Sequence, residues 1–264
     1  MDSPIRGSLL GNRVLRTEDP RLLTGAATYL ADLPLERALR AVFVRSDVAH
    51  GTITAIHVDD ARSMPGVVDV WTAAELGVAP HHGFAKVHDD FPRPPLATDR
   101  VRFVGEAIAV VFAESLTEAV DAAQMVWAEI EPLPALVDPE QALDAPGVAL
   151  FDARPDNVAV VESPDAPLDL AGASDVVVRG RYINQRVAVA PMEPHCFAAA
   201  PAADGRLTVW PSNQFPHVIH TQLAAALGVE PADIHVITPQ VGGGFGGSWP
   251  ACAYIVLADL ASNL

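Results

Sequence analysis

The stretch "VGEAIAVVFAESLTEAVDAAQMVWAEIEPLPALV", residues Val104 to Val137, holds a complete strand–helix–strand unit. Val104 to Ala113 is an apolar run rich in valine and isoleucine, the pattern of a strand buried on both faces. Ser115 with Glu118 three residues later forms a capping box, in which each side chain satisfies an orphan N–H at the start of a helix. Leu116, Ala119, Val120, Ala123 and Val126 then recur on one helical face. "WAEIEPLPALV" closes the unit as a second extended segment. A strand, a helix and a strand in 34 residues set a mixed α/β class, α+β in its arrangement, and the rest of the chain is read outward from there.

Upstream, "LLTGAATYLADL" reads as a loop running into an extended segment, and "ALRAVFVRS" (Ala38 to Ser46) alternates like a strand. "GTITAIHVDDARSMPGVVDVWTAAELG" gives a strand, a short helix stopping before Pro65, a strand at Val67 to Trp71 and a helical turn ending at Gly77. Ala79 to Pro95 is an aperiodic loop with three histidines. Downstream, Asp138 to Pro167 is rich in proline and aspartate, the composition of a domain boundary or a surface wrap. It divides the chain into 1–150, with a core at about 20–137, and 151–264. In the second region "SDVVVRGRYINQRVAVAPME" and "CFAAAPAADGRLTVWPS" read as strands joined through an Asp204–Gly205 turn. "FPHVIHTQLAAALG" reads as a helix, with Pro216 in its first turn and Gly228 past its end. A strand in "ADIHVITPQV", the loop "GGGFGG" and a largely helical "SWPACAYIVLADLASNL" follow.

Composition narrows the function classes. The 264 residues are half hydrophobic and 19% charged, a globular composition. Net charge is −16, from 17 basic and 33 acidic residues, which argues against nucleic acid and anionic lipid as partners. Cys196 and Cys252 form no CxxC and read as two separate thiols in a reducing compartment. The opening "MDSPIRGSLLGNRVLR" lacks an apolar signal core, and no apolar stretch reaches the length of a membrane span. A cytoplasmic location is therefore expected.

Gly242, Gly244 and Gly247 fit G-x-G-x-x-G between an expected strand and an expected helix, the setting in which backbone N–H groups bind a phosphate. The acidic residue and strand of a dinucleotide fold do not follow, and no Gly-Lys-Ser/Thr is present. Spacing alone leaves two readings open: an anion or cofactor contact, and a tight strand–helix corner.

A wider set of segments adds to this. "RTEDPRLLTGAATYLADL", "AVFVRSDVAHGTI", "PGVVDVWTAAEL", "PLATDRVRFVGEAIAVVFAES", "EIEPLPALVD", "VAPMEPH", "GRLTVWPSNQFPHVIHTQLAAALG" and "VGGGFGGS" occur in that order. Together they resemble the N-terminal part of the molybdopterin-binding large subunit of the xanthine dehydrogenase / aldehyde oxidase / aerobic carbon monoxide dehydrogenase family. The resemblance implies an α/β hammerhead domain followed by the first part of a molybdopterin-binding domain. It implies oxidation of an aldehyde, an N-heterocycle or carbon monoxide, with water as oxygen source. The cofactor implied is molybdenum–molybdopterin in its cytosine dinucleotide form. Electrons would pass to a [2Fe–2S] small subunit and an FAD-bearing medium subunit. Gln214 matches the glutamine beside the molybdenum, Phe245 a pocket wall, and Gly243, Gly244, Phe245, Gly246 and Gly247 the backbone cradle. No side chain is implied as a metal ligand.

Some residues depart from that pattern or carry blander readings. Ser248 stands where the family usually has lysine, which weakens the expected hold on an anionic cofactor, although serine can still cap a helix. Glu193 in "PMEPH" is a tempting general base, and a hydrogen-bonded structural carboxylate is the plainer reading. His81, His82 and His88 sit in a loop without ligand spacing, and His217 and His220 read as surface or packing residues. The family's large subunit is several times longer, and its catalytic glutamate and most pterin contacts lie beyond the matched part. The chain alone is therefore expected to be inactive and to need a missing C-terminal portion, which is either a second polypeptide from a split gene or lost. The competing expectations are a non-catalytic relic or assembly module of such a complex, and an independent nucleotide-binding protein. A truncated second region is also expected to leave an open sheet edge and exposed apolar surface.

Overall fold

The computed structural model describes residues 10, 14–76, 78, 80, 88–144, 147–162, 172, 174–247 and 257–260. Its centre is β5 (Ala107–Ala113), where five residues in succession and Ala113 are buried. β5 pairs antiparallel with β1 (Arg40–Arg45) on one side and β3 (Val67–Trp71) on the other. Pleating sends its side chains alternately to two faces. Ala109 and Val111 join a cluster with Val58, Ala61, Ala122 and Val126, while Val110 and Phe112 join Leu96 on the opposite face. A strand sandwiched in this way needs a continuous apolar run. It begins three residues later than the run, because Gly105, at φ +92°, turns the chain and gives its N–H to the Ser46 carbonyl at 2.7 Å.

The α3 helix (Leu116–Ala123) starts at the expected capping box: Glu118 N–H donates to Ser115 Oγ at 3.2 Å, and Ser115 N–H to Glu118 Oε2 at 3.0 Å. Its inward face differs from the expected one. Ala119, Ala122 and, just beyond the helix, Val126 are buried, whereas Leu116 is 59% exposed and Val120 is also exposed. The helix rests on the sheet through alanine methyls, which allow a closer approach than leucine would. The two extended ends of the unit also enter different sheets. β6 (Trp127–Pro132) pairs not with β5 but with β2 (Gly51–His57), which also pairs with β4 (Arg100–Val101). Ala97, Val101 and Ile108 are buried together with Ile53, Ile56 and Ile130 packed against them, which ties the two sheets together.

The remaining elements of the first region are short. α1 (Asp19–Leu23) precedes the expected loop, and a 3₁₀ turn (Leu30–Asp32) stands where an extended segment was expected. Pro20 suits the first turn of α1, and Asp32 Oδ2 accepts from Tyr29 N–H at 2.9 Å. α2 (Asp59–Arg62) ends before Pro65 as expected, and α4 (Pro139–Asp144) opens the proline-rich stretch. Part of that stretch wraps the first region. Arg102 lies over the Phe151 ring at 4.7 Å and donates to Leu150 O at 2.9 Å, and Arg100 pairs with Asp152 at 3.1 Å.

In the second region β7 (Phe197–Pro201) and β8 (Leu207–Pro211) form a hairpin across Gly205, at φ +83°. α5 (Pro216–Leu227) crosses over to β9 (Ile234–Val236), which is parallel to β8. Gly228 caps α5 in the left-handed conformation, and Ile219, Leu223 and Ala224 cover Leu207, Val209 and Ile234. The expected strand over Ser174 to Glu193 does not form: these residues have no regular secondary structure, pair with no described strand and expose Val176, Val178, Tyr182, Ile183 and Val187. A strand owes its hydrogen bonds to a neighbour, and alternation in sequence cannot supply one. Of the expected last helix, residues 257–260 are helical and the rest lies outside the described residues. Leu257 and Leu260 pack against the Phe112 cluster of the first region, while Ala258 is buried with the α5 cluster. No described helix is long and apolar enough to cross a membrane.

Candidate functional site

The glycine loop, residues 242–247, follows β9 and crosses the end of β8. Its backbone is unusual over four residues: Gly243 has φ +113°, Phe245 φ +47° and Gly246 φ +81°. A phenylalanine in the left-handed region costs about 1–2 kcal/mol, and such outliers cluster at functional sites. Gly247 N–H closes a turn on Gly244 O at 2.7 Å.

The loop is seated by close approach to three residues on two segments. A Cβ on Gly244 would stand 2.1 Å from Gln214 Cδ, one on Gly242 2.3 Å from Glu193 Cβ, and one on Gly247 2.1 Å from Val189 Cγ2. Any larger residue at these places would push the loop off its seat. Gln214 leaves β8 just before α5, held by buried Ser212 and Asn213, and Asn213 Oδ1 accepts from Phe215 N–H at 2.5 Å. Gln214 Oε1 accepts from Gly246 N–H at 3.1 Å. Its amide nitrogen keeps two donors that nothing among the described residues takes up.

The donor set fits an anionic, oxygen-rich group. Gly242 N–H goes to Glu193, Gly246 N–H to Gln214 and Gly247 N–H to Gly244. The N–H groups of Gly243, Gly244 and Phe245 have no acceptor among the described residues, and Gly244 is buried. Successive backbone N–H groups beside left-handed residues form an anion-binding concavity. Phe245 is 72% exposed and lays its ring over Gly243, so it borders the cradle on the open side.

Glu193 is a hydrogen-bonded carboxylate. Its Oε2 accepts from Gly242 N–H at 2.6 Å and from Ser212 Oγ at 2.8 Å. Oε1 is buried without a donor among the described residues. Sequence reasoning did not join Glu193 to the loop, because 49 residues separate it from Gly242 and no local pattern marks the contact. Val189 was missed for the same reason. Cys196 lies near Glu193, and burial, then the carboxylate's charge, push its thiol pKa up.

His220 and His88 lie elsewhere. His220 Nε2 donates to Pro231 O at 2.6 Å and Ile234 O at 3.1 Å, which makes it a packing residue. His88 pairs with Asp90 at 3.0 Å. His81, His82, Ser248 and Cys252 lie outside the described residues. Among the described residues no group of three His, Cys, Asp or Glu side chains is arranged to hold a metal ion.

Fold and loop together define a class: a mixed α/β chain whose second part carries a glycine loop with backbone N–H groups that no described residue accepts. Comparison with known proteins narrows it. Residues 24–134 match the "Aldehyde oxidase and xanthine dehydrogenase, a/b hammerhead domain", and residues 150–264 match the "Molybdopterin cofactor-binding domain". The chain is 40% identical to the nicotine 6-hydroxylase large subunit of Paenarthrobacter nicotinovorans, over 98% of this chain and 33% of that one. It is 33% identical to the carbon monoxide dehydrogenase large chain of Afipia carboxidovorans, over 96% of this chain and 33% of the relative. The crystal structure of quinoline 2-oxidoreductase from Pseudomonas putida 86 superposes with a TM-score of 0.83 at 36% identity, covering 96% of this chain and 33% of that one. The chain belongs to the xanthine dehydrogenase / aldehyde oxidase family of molybdopterin-binding large subunits. That family consists of molybdenum-dependent oxidoreductases, and the domain match implies a molybdenum–molybdopterin cofactor. The chain spans about a third of the length of the curated relatives it matches.

Proposed function

We propose that this chain forms one wall of the molybdenum–molybdopterin site of a hydroxylase that acts on an aldehyde, an N-heterocycle or carbon monoxide. The observation that carries this reading is the row of uncommitted N–H groups on Gly243, Gly244 and Phe245 beside the amide of Gln214. When bound, the cofactor supplies a two-electron oxidation with oxygen drawn from water. The chain's own residues bind and orient. Gly243, Gly244, Phe245, Gly246 and Gly247 form the cradle, and fixed N–H dipoles stabilise negative charge without reorganising. Gln214 donates its amide N–H to an oxygen of the cofactor. Phe245 screens the open side from water.

In this reading the cofactor is the cytosine dinucleotide form, and [2Fe–2S] and FAD sit on small and medium partner subunits in the cytoplasm. Residues 1–150 form the hammerhead domain and 151–264 the start of the molybdopterin-binding domain. The proton-accepting base comes from a further large-subunit portion that this chain does not span. Co-expression with such a portion, followed by metal analysis, tests this. Molybdenum is expected at one atom per chain, and Gln214→Ala should lower turnover by about 10²-fold, the usual cost of one such donor, with folding intact. Assembly with the partner subunits without molybdenum would instead mark an assembly module, and an unchanged rate would remove Gln214 from the site.

A further inference from the structure

We infer that Glu193 is a positioning residue that fixes the glycine loop relative to Gln214 and so aims the row of N–H donors. One carboxylate oxygen, Oε2, holds both sides. It takes Gly242 N–H, where the chain enters the loop, at 2.6 Å, and Ser212 Oγ–H, two residues before Gln214, at 2.8 Å. The backbone reinforces the latch, since Glu193 N–H reaches Gly242 O at 3.4 Å and Ser212 N–H reaches Cys196 O at 2.9 Å. Seating is close enough that a Cβ on Gly242 would overlap Glu193 Cβ at 2.3 Å. Hydrogen bonds to an ionisable oxygen are the strong class, and two donors on one oxygen fix an angle as well as a distance. The other oxygen, Oε1, is buried with no donor among the described residues. A native fold rarely keeps a buried polar atom in that state unless the group is retained for something else. Here what it retains is the spacing between the loop and the glutamine arm.

That the donor row serves a cofactor rests on the function proposed above, whereas the anchoring does not. The test is hydrogen–deuterium exchange on the full chain, read on peptides covering residues 240–247. Glu193→Leu fills the space without an acceptor and should speed exchange in the loop about tenfold or more, the equivalent of one lost charge-assisted hydrogen bond. Glu193→Gln keeps an acceptor oxygen and should restore exchange to within about threefold of wild type. Ser212→Ala should speed the same peptides by a smaller factor. Peptides from β5 and α3 should not change in any variant. Loop exchange at the wild-type rate in Glu193→Leu, or equal acceleration by Leu and Gln, overturns the inference. If Glu193→Leu does not fold, Ser212→Ala decides: acceleration confined to the loop supports the latch, and none overturns it. Molybdenum per chain, measured in the complex with a further large-subunit portion, should fall in Glu193→Leu and be rescued in Glu193→Gln. Absence of molybdenum from the wild-type complex would sink the proposed function and leave the exchange result to judge Glu193.

Discussion

Two alanine substitutions in the glycine loop, Gly242→Ala and Gly246→Ala, should differ in cost for reasons the structure separates. Gly246 has φ +81° and open space around a would-be Cβ, so alanine there bears only the left-handed backbone cost of about 1–2 kcal/mol. The lower entropy of the unfolded alanine chain offsets part of this, leaving about 1 kcal/mol. Gly242 has no positive φ, but its Cβ would come within 2.3 Å of Glu193 Cβ and 3.3 Å of Glu193 N. Those atoms are backbone or next to it and cannot rotate away, so the loop must move by about an ångström. Overpacking of that kind costs about 1–3 kcal/mol. The movement also breaks the 2.6 Å bond from Gly242 N–H to Glu193, which adds about 1–3 kcal/mol for stranded buried groups. Gly242→Ala should therefore cost about 2–6 kcal/mol, at least twice the cost of Gly246→Ala. Urea dependence of hydrogen exchange in β8, which leads directly into Ser212 and Gln214, reads both values on one scale. Equal costs, or a larger one for Gly246→Ala, would refute the reasoning from close approach.

Two further outcomes follow from the ionisable groups. Burial pushes the Glu106 carboxyl up, despite its bond from Arg102 N–H at 2.5 Å. The folded state therefore binds this proton more tightly than the unfolded state, and stability should rise as pH falls from neutral toward 4.5. Glu106→Gln should remove that slope in urea titrations from pH 7 to pH 5, and a wild-type slope of opposite sign relative to the variant would contradict it. Cys196, its thiol pushed up by burial and then by Glu193, should react with iodoacetamide at pH 8 more slowly than a free cysteine peptide. Glu193→Gln should speed this reaction in peptide mass maps. A wild-type rate equal to the free peptide's would remove the effect.

What could be read in the sequence was local. The capping box of Ser115 and Glu118, the buried run of β5, and Pro216 and Gly228 at the ends of α5 each declare themselves within a few residues, because propensity and capping act over one helical turn. Pairing was not legible, since nothing in "WAEIEP" says that β6 turns to β2 and not to β5. Nor was the face of α3, where alanines and not the larger Leu116 and Val120 meet the sheet. The reading of Ser174 to Glu193 failed because alternation marks strand potential, and a strand also needs an edge to pair with. At the site, glycine density pointed to the loop and the family resemblance to Gln214. The latch through Glu193 joins residues 49 apart and exists only in three dimensions.

The helical turn at residues 257–260 has a consequence for how the chain comes into being. Leu257 and Leu260 close over the Phe112 cluster, so a core begun in the first half is sealed by side chains about 145 residues later. At typical rates of synthesis, about 5–20 residues per second, that surface waits roughly 7–30 seconds on the ribosome for its cover. During that interval the nascent first region is a natural client for a chaperone, and a message cut between the two halves would extend the wait until two separate products meet.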